Sequence, residues 1–241
     1  MTKSTFSTFP KEGLQFLRSL KRNNNREWFN AHKSEYESSV KGPMNELIAA
    51  LAVDFARFAA EMIATPKASG YRIYRDTRFS KDKSPYKTHV AAVFPRSGLG
   101  KHEGAGFYLH IAPEEVLIAG GLYMPSSEDL NAVRNHIAHN HETFEEIVSR
   151  RRFKSLFGPV EGERLSRVPR GFDPNHPAAE YLKLKQFLAS RTFPPNVALE
   201  AGFYKVVVET FQGMSPFIRF LNEPIVKSRH VRERQNAMLG L

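Results

Sequence analysis

The sequence predicts an α+β fold: a four-stranded, mainly antiparallel sheet covered by N-terminal and C-terminal helices. Three observations carry this. Apolar residues recur at helical spacing up to about residue 62, the period shifts to two between Tyr71 and Tyr123, and helical spacing returns after Ser126. The links between the candidate strands are short and turn-rich, whereas a parallel crossover needs a dozen or more residues, so the strands form a meander.

The first helix is marked by Pro10 near its start and by Leu14, Leu17 and Leu20, and it runs out at Asn23-Asn24-Asn25. Asn24, with Glu27 three residues on, predicts a capping box that opens a second helix. Its face of Phe29, Tyr36 and Val40 ends at Gly42-Pro43. A third helix over about 43–62 carries the stripe Leu47, Ile48, Leu51, Phe55, Phe58 and Met62. Strands are predicted over 71–75, 89–94, 106–111 and 116–123. Ser126 caps a long helix with Asp129 in its first turn and Leu130, Val133, Ile137, Phe144 and Ile147 on its buried face. The stretch 155–176, rich in Gly, Pro and Arg, reads as ordered loop. Helices follow near 177–190 and 196–222, with Gly213 and Pro216 breaking the last. One domain over 1–226 and a basic tail over 227–241, a frayed helix or a mobile arm, complete the expected organisation.

A chain of 241 residues that is 41% apolar, with nineteen Phe, has ample material for a core. The absence of Cys excludes disulfides and thiolate metal sites and suits a reducing compartment. The N-terminal residues hold no signal-peptide-like apolar run, and no window approaches the roughly twenty apolar residues of a membrane span. The expected location is the cytoplasm, with no membrane partner. The net charge of +10 is patchy: residues 71–89 carry six basic and two acidic side chains, 150–170 seven and two, and 227–241 four and one. Gathered positive charge favours an anionic partner.

The densest chemistry lies in 71–89, where a polar loop separates Arg75-Asp76 from the return through Tyr86-Lys87-Thr88-His89. Arg72, Arg75, Arg78, Lys83, Tyr86 and Lys87 are the candidate ligand contacts. Their donors suit a phosphate or carboxylate through charge-assisted hydrogen bonds. Asp76 and His89 are the candidates for moving a proton. No nucleophile with an adjacent base is legible, so the catalytic residues stay unassigned. The plainer alternative is a solvated hairpin whose charges pair with one another while Phe79 and Tyr86 plug the core.

Other segments carry less. Caps explain most of Asn23 to Trp28, and the lone Trp suits a core. Arg170, Phe172, Asp173, Asn175 and His176 form either a pocket rim or the cap of a helix. His136, His139, His141 and Glu142 lack the spacing of a metal centre, and no metal ligand set is predicted. The glycines between Gly98 and Gly106 sit in a hairpin instead of a strand-to-helix turn, so they form no nucleotide motif and any cofactor is unknown.

The stretches FLRSLKRNNNREWFNAHKSEYE, YRIYRDTRFSKDKSPYKTHVAAVF, GFYLHI with GGLYMP, and GFDPNHPAAEYLKLK resemble the family called domain of unknown function 2461. The resemblance runs in order from Phe9 to Leu221, with RDTRFSKDKSPYKTH its most distinctive part. It implies a mainly bacterial and fungal group of intracellular proteins and supplies no activity, cofactor or catalytic residue. The basic tail and the His136-His139-His141 cluster fall outside it.

Three functional readings follow. The leading one is a small-molecule binding domain, with enzyme activity open, that recognises a phosphate- or carboxylate-bearing ligand through the basic segment. The second is a nucleic-acid-binding protein using its basic patches, although no helix-turn-helix, RNA-recognition or OB signature is present. The third is a structural or assembly module that docks an acidic partner.

Overall fold

The computed structural model describes residues 6–78 and 80–239, with side chains through residue 231. Helix α1 (Lys11–Arg22) buries Leu14, Phe16, Leu17 and Leu20. Helix α2 (Arg26–Ala31) is capped by Asn25, whose side chain accepts the Trp28 N–H at 2.9 Å. The capping box predicted at Asn24 does not form, because the Asn24 amide is engaged by the backbone of Tyr86. Helix α3 (Lys33–Tyr36) continues through a π turn (Glu37–Lys41) into α4 (Gly42–Phe58). Gly42-Pro43 therefore ends no helix: the π turn widens the backbone where Pro43 cannot donate. A short α5 (Pro66–Ser69) follows, with Thr65 as its cap.

Strands β1 (Val90–Phe94), β2 (Gly106–Ile111), β3 (Val116–Leu122) and β4 (Phe187–Phe193) form one antiparallel sheet in the order β1-β2-β3-β4. The predicted first strand, 71–75, is not among them. The segment meets the chain around β1 through isolated bridges, Gly70 to Ala92 and Tyr74 to Tyr86, and a few backbone hydrogen bonds, without forming a strand. The fourth strand comes from a stretch predicted helical to residue 190, of which only α9 (Ala179–Leu182) is helix. Tyr181, Leu182, Leu184 and Phe187 imitate helical spacing, but from Phe187 onward the burial alternates, with Phe187 and Ala189 inside.

The predicted long helix after Ser126 is divided at Asn140 into α6 (Ser127–His139) and α7 (His141–Ser149), followed by α8 (Arg151–Phe157). Ser126 caps α6 as expected, accepting the Asp129 N–H at 3.0 Å. Helix α10 (Phe203–Leu239) passes through Gly213, Pro216 and Pro224 and takes in the backbone of the basic tail as far as Leu239. The break expected at Gly213 and Pro216 is absent. A helix-interior Pro costs about 3 kcal/mol. Burying Phe217, Ile218 and Leu221 in the next turns returns about 1.5–3 kcal/mol each. Gly213 itself is a packing residue, since an added Cβ would come within 2.5 Å of Leu156. No described helix is long and apolar enough to cross a membrane.

The chain divides into two compact units. The first comprises Met1–Phe94, Tyr108–Ile118 and Arg191–Gln212. Its core contains Phe55, Phe94 and Phe211, whose ring centroids stand 5.2–5.8 Å apart in edge-on pairs. The second comprises Pro95–Phe107, Ala119–Ser190 and Gly213–Leu241. Within it Phe144, Phe153 and Phe217 pack together, and Asn222, 1% exposed, grips the backbone of Ala105 through two hydrogen bonds of 2.8 Å.

Candidate functional site

All the candidate contacts of 71–89 lie in the first unit. The segment is held at its neck by backbone bonds from Tyr71 N–H to Ala91 O (3.0 Å), Arg75 N–H to Pro85 O (2.9 Å) and Lys87 N–H to Ile73 O (2.8 Å). Ile73 and Tyr86 are buried, and Tyr86 stacks on Phe29 at 4.1 Å. Tyr86 thus serves as the core plug of the plainer alternative, whereas Phe79 lies outside the described residues. The Asn24 side chain adds a clasp: its Nδ2 donates to Tyr86 O at 2.9 Å and its Oδ1 accepts the Tyr86 N–H at 3.1 Å. The turn between α1 and α2 thereby sets the position from which Lys87 and His89 depart.

Beyond the neck, the loop neutralises much of its own charge. Arg78 makes a forked pair with Asp76, Nε to Oδ1 at 3.0 Å and Nη2 to Oδ2 at 2.8 Å. Arg75 pairs with Asp82 and donates to Ser80 Oγ at 3.1 Å. Lys83 Nζ donates to Thr77 O at 2.9 Å. Asp82 also accepts the N–H and hydroxyl of Ser84. Hydrogen bonds from Arg78 hold the Asp76 carboxyl down to about 2, and those from Ser84 and Arg75 hold Asp82 well below the carboxylate range. An exposed carboxylate so engaged is a poor proton acceptor, which turns Asp76 into a loop-shaping residue.

Arg72 and Lys87 are arranged differently. Neither makes an ion pair with a described residue. The Lys87 ammonium sits over the Tyr71 ring, 4.7 Å from its centroid, a cation–π contact. Burial lowers its pKa first, and the Arg72 charge adds to that. The six candidate contacts therefore fall into three groups: Arg75, Arg78 and Lys83 bonded within the loop, Tyr86 in the core, and Arg72 with Lys87 as electrostatic neighbours.

Two residues beyond Lys87, His89 stands beside His110 of β2 with ring centroids 5.2 Å apart. Burial, then the charges of His110 and Lys87, push His89 down to about 4, so it is neutral at pH 7. The Tyr108 hydroxyl lies 3.1 Å from His110 Nδ1, and Glu115 Oε1 lies 3.3 Å from His110 Nε2, off the line of a hydrogen bond. Tyr71 faces Tyr108 at 6.4 Å between ring centroids. Sequence reading missed Tyr108, His110 and Glu115. Alternation along β2 does put Tyr108 and His110 on one face, but the register that brings His89 against His110 has no signal in the sequence.

The remaining candidates disperse. Trp28 stacks on His32 at 4.1 Å, and Asn23 donates to Ser19 O. In the second unit, Asp173 accepts the Asn175 N–H, and His176 Nδ1 accepts the Ala178 N–H. His136 packs on Phe220, His139 bonds Asn135 O, and His141 faces His176. The described residues contain no group of three His, Asp or Glu placed to hold a metal ion.

No curated protein and no solved structure matches the chain. A family profile described as conserved hypothetical protein matches residues 12–220. Nearly all of the architecture described above falls in that span, and the chain belongs to the domain of unknown function 2461 family.

Proposed function

We propose that this protein binds a small phosphate- or carboxylate-bearing molecule, with Lys87 and Arg72 as its charged contacts and Tyr71 and His89 beside them. One observation carries the reading. Arg75, Arg78 and Lys83 already have partners in their own loop, whereas Lys87 is partly desolvated next to a second cation and has no carboxylate in ion-pair reach among the described residues. The carboxylate that Arg72 feels, Asp76, is already bonded to Arg78, and an anion between the two neighbouring cations relieves their repulsion while making charge-assisted hydrogen bonds. The paired arginines and Tyr86 then act as a frame that keeps the neck rigid.

Thermal denaturation with inorganic phosphate, pyrophosphate and citrate tests this. At a hundredfold excess over Kd, binding stabilises by about 2.7 kcal/mol. For a chain of this size that corresponds to a rise in Tm of roughly 5–10 °C. Lys87→Ala and Arg72→Ala should abolish the rise, and Arg78→Ala should keep it. The proposal fails if none of these anions raises Tm, or if Arg78→Ala loses as much as Lys87→Ala. A salt-sensitive gel shift with oligonucleotides and no response to small anions would favour the nucleic-acid reading instead.

A further inference from the structure

The β2–β3 hairpin builds a second chemical feature on this face. The Ala112 N–H bonds Glu115 O at 2.8 Å and closes the turn. That turn brings the Glu115 carboxylate to His110 Nε2, while two-residue periodicity places Tyr108 on the same face as His110, at its other ring nitrogen. Carboxylate, imidazole and phenol stand in series, in the order Glu115, His110, Tyr108. A carboxylate oxygen 3.3 Å from Nε2 favours the tautomer with its proton there, which leaves Nδ1 to accept the Tyr108 O–H.

We infer that Glu115, His110 and Tyr108 form a general-base relay serving the anion site at Lys87 and Arg72, which takes a proton from the bound molecule or from a water beside it. The inference rests on the anion-binding reading above. The donor's O–H bond breaks as a new O–H bond forms on the Tyr108 oxygen. The original Tyr108 proton moves to His110 Nδ1, and the resulting imidazolium stands against the Glu115 carboxylate. No oxidant or further reactant is needed. Tyr108 is the residue that meets the ligand, while His110 and Glu115 act through it as positioning residues. The substrate class is therefore an anion that carries an ionisable hydroxyl or reacts with water. The titratable groups placed against His110 are His89 from before β1, Tyr108 of β2 and Glu115 from the turn; Tyr71 faces Tyr108 one contact further out, with Lys87 over its ring.

The test uses the full chain labelled with ¹⁵N-histidine and inorganic phosphate as the probe, with NMR reporting tautomer and titration of His110. Wild type should show His110 protonated at Nε2. Glu115→Lys, whose ammonium can only donate to Nε2, should move the proton to Nδ1, and Glu115→Asp should keep the wild-type pattern. Saturating phosphate should raise the His110 pKa by about one unit, as an added neighbouring anion that can supply a proton does. With phosphate raised until it saturates each protein, Tyr108→Phe should lose more than half of that rise, whereas a purely electrostatic effect would survive the change. An Nδ1–H tautomer in wild type, an unchanged tautomer in Glu115→Lys, or a full rise in Tyr108→Phe overturns the relay alone. Absence of phosphate binding in wild type overturns the anion site, and the relay's role falls with it.

Discussion

The three asparagines at residues 23–25 look interchangeable in the sequence and have different duties, so alanine substitution at each should rank them. Asn24 spans the Tyr86 peptide with bonds of 2.9 and 3.1 Å in a half-buried setting. Each is worth about 0.5–1.5 kcal/mol net, and water can reach the freed groups only in part, so Asn24→Ala should cost about 2 kcal/mol. Asn25 accepts one N–H as a helix cap, worth about 1 kcal/mol. Asn23 bonds Ser19 O at an exposed position, where substitutions stay within about 0.5 kcal/mol. In thermal denaturation followed by circular dichroism, Asn24→Ala should lower Tm by roughly 4–8 °C, about twice the effect of Asn25→Ala, with Asn23→Ala close to wild type. Asn24→Asp should do no better than Asn24→Ala, because it sets a carboxylate against the Tyr86 carbonyl. The phosphate-induced rise in Tm should shrink in Asn24→Ala, since the clasp sets where Lys87 stands. If Asn25→Ala costs as much as Asn24→Ala, or Asn24→Asp is neutral, the clasp does not hold the site as argued.

Other perturbations test the rest. His89 is pushed down to about 4, with burial its largest cause, and burial also lowers His110 and His136. The unfolded chain therefore binds more protons below pH 6.5, so stability should fall as pH drops from about 6.5 toward 4. Urea midpoints across that range should show it, and His89→Asn should flatten the slope; an unchanged slope would contradict the assignment. In the second unit, Gly121 has φ of 142°, and a Cβ there would land 2.0 Å from Phe187 O on the neighbouring strand. Gly121→Ala should cost more than about 3 kcal/mol, and a variant melting within about 2 °C of wild type would refute that. Asn222→Ala leaves the Ala105 N–H and carbonyl without partners in a buried place and should cost about 2–4 kcal/mol, measured by urea denaturation.

Legibility in the sequence followed the length scale of the interaction. Alternation in GFYLHI delimits β2 to the residue, and Ser126 announces its cap, because both signals are local. The first half of β4 lies in a stretch that reads as helix because Tyr181, Leu182, Leu184 and Phe187 imitate helical spacing, and pairing with β3 decides the matter across more than sixty residues of chain. Helix α10 survives Pro216 for a similar reason, its buried apolar turns being visible only once the partner surface is known. The site divides along the same line. The cationic character of 71–89 is local and legible, but which cation keeps its charge unanswered depends on loop geometry. That geometry spends Arg75 and Arg78 on Asp82 and Asp76 and leaves Lys87 over Tyr71. The meeting of His89 with His110 depends on strand register and left no trace in the composition.

Both asparagine clasps, Asn24 on Tyr86 and Asn222 on Ala105, address the peptide group and are blind to the side chain it carries. Exchanges at the gripped positions that respect packing should therefore leave the grip intact, whereas even aspartate fails at the gripping ones. Tolerance to substitution at these two contacts is thus one-sided: the holder is constrained and the held is free to drift.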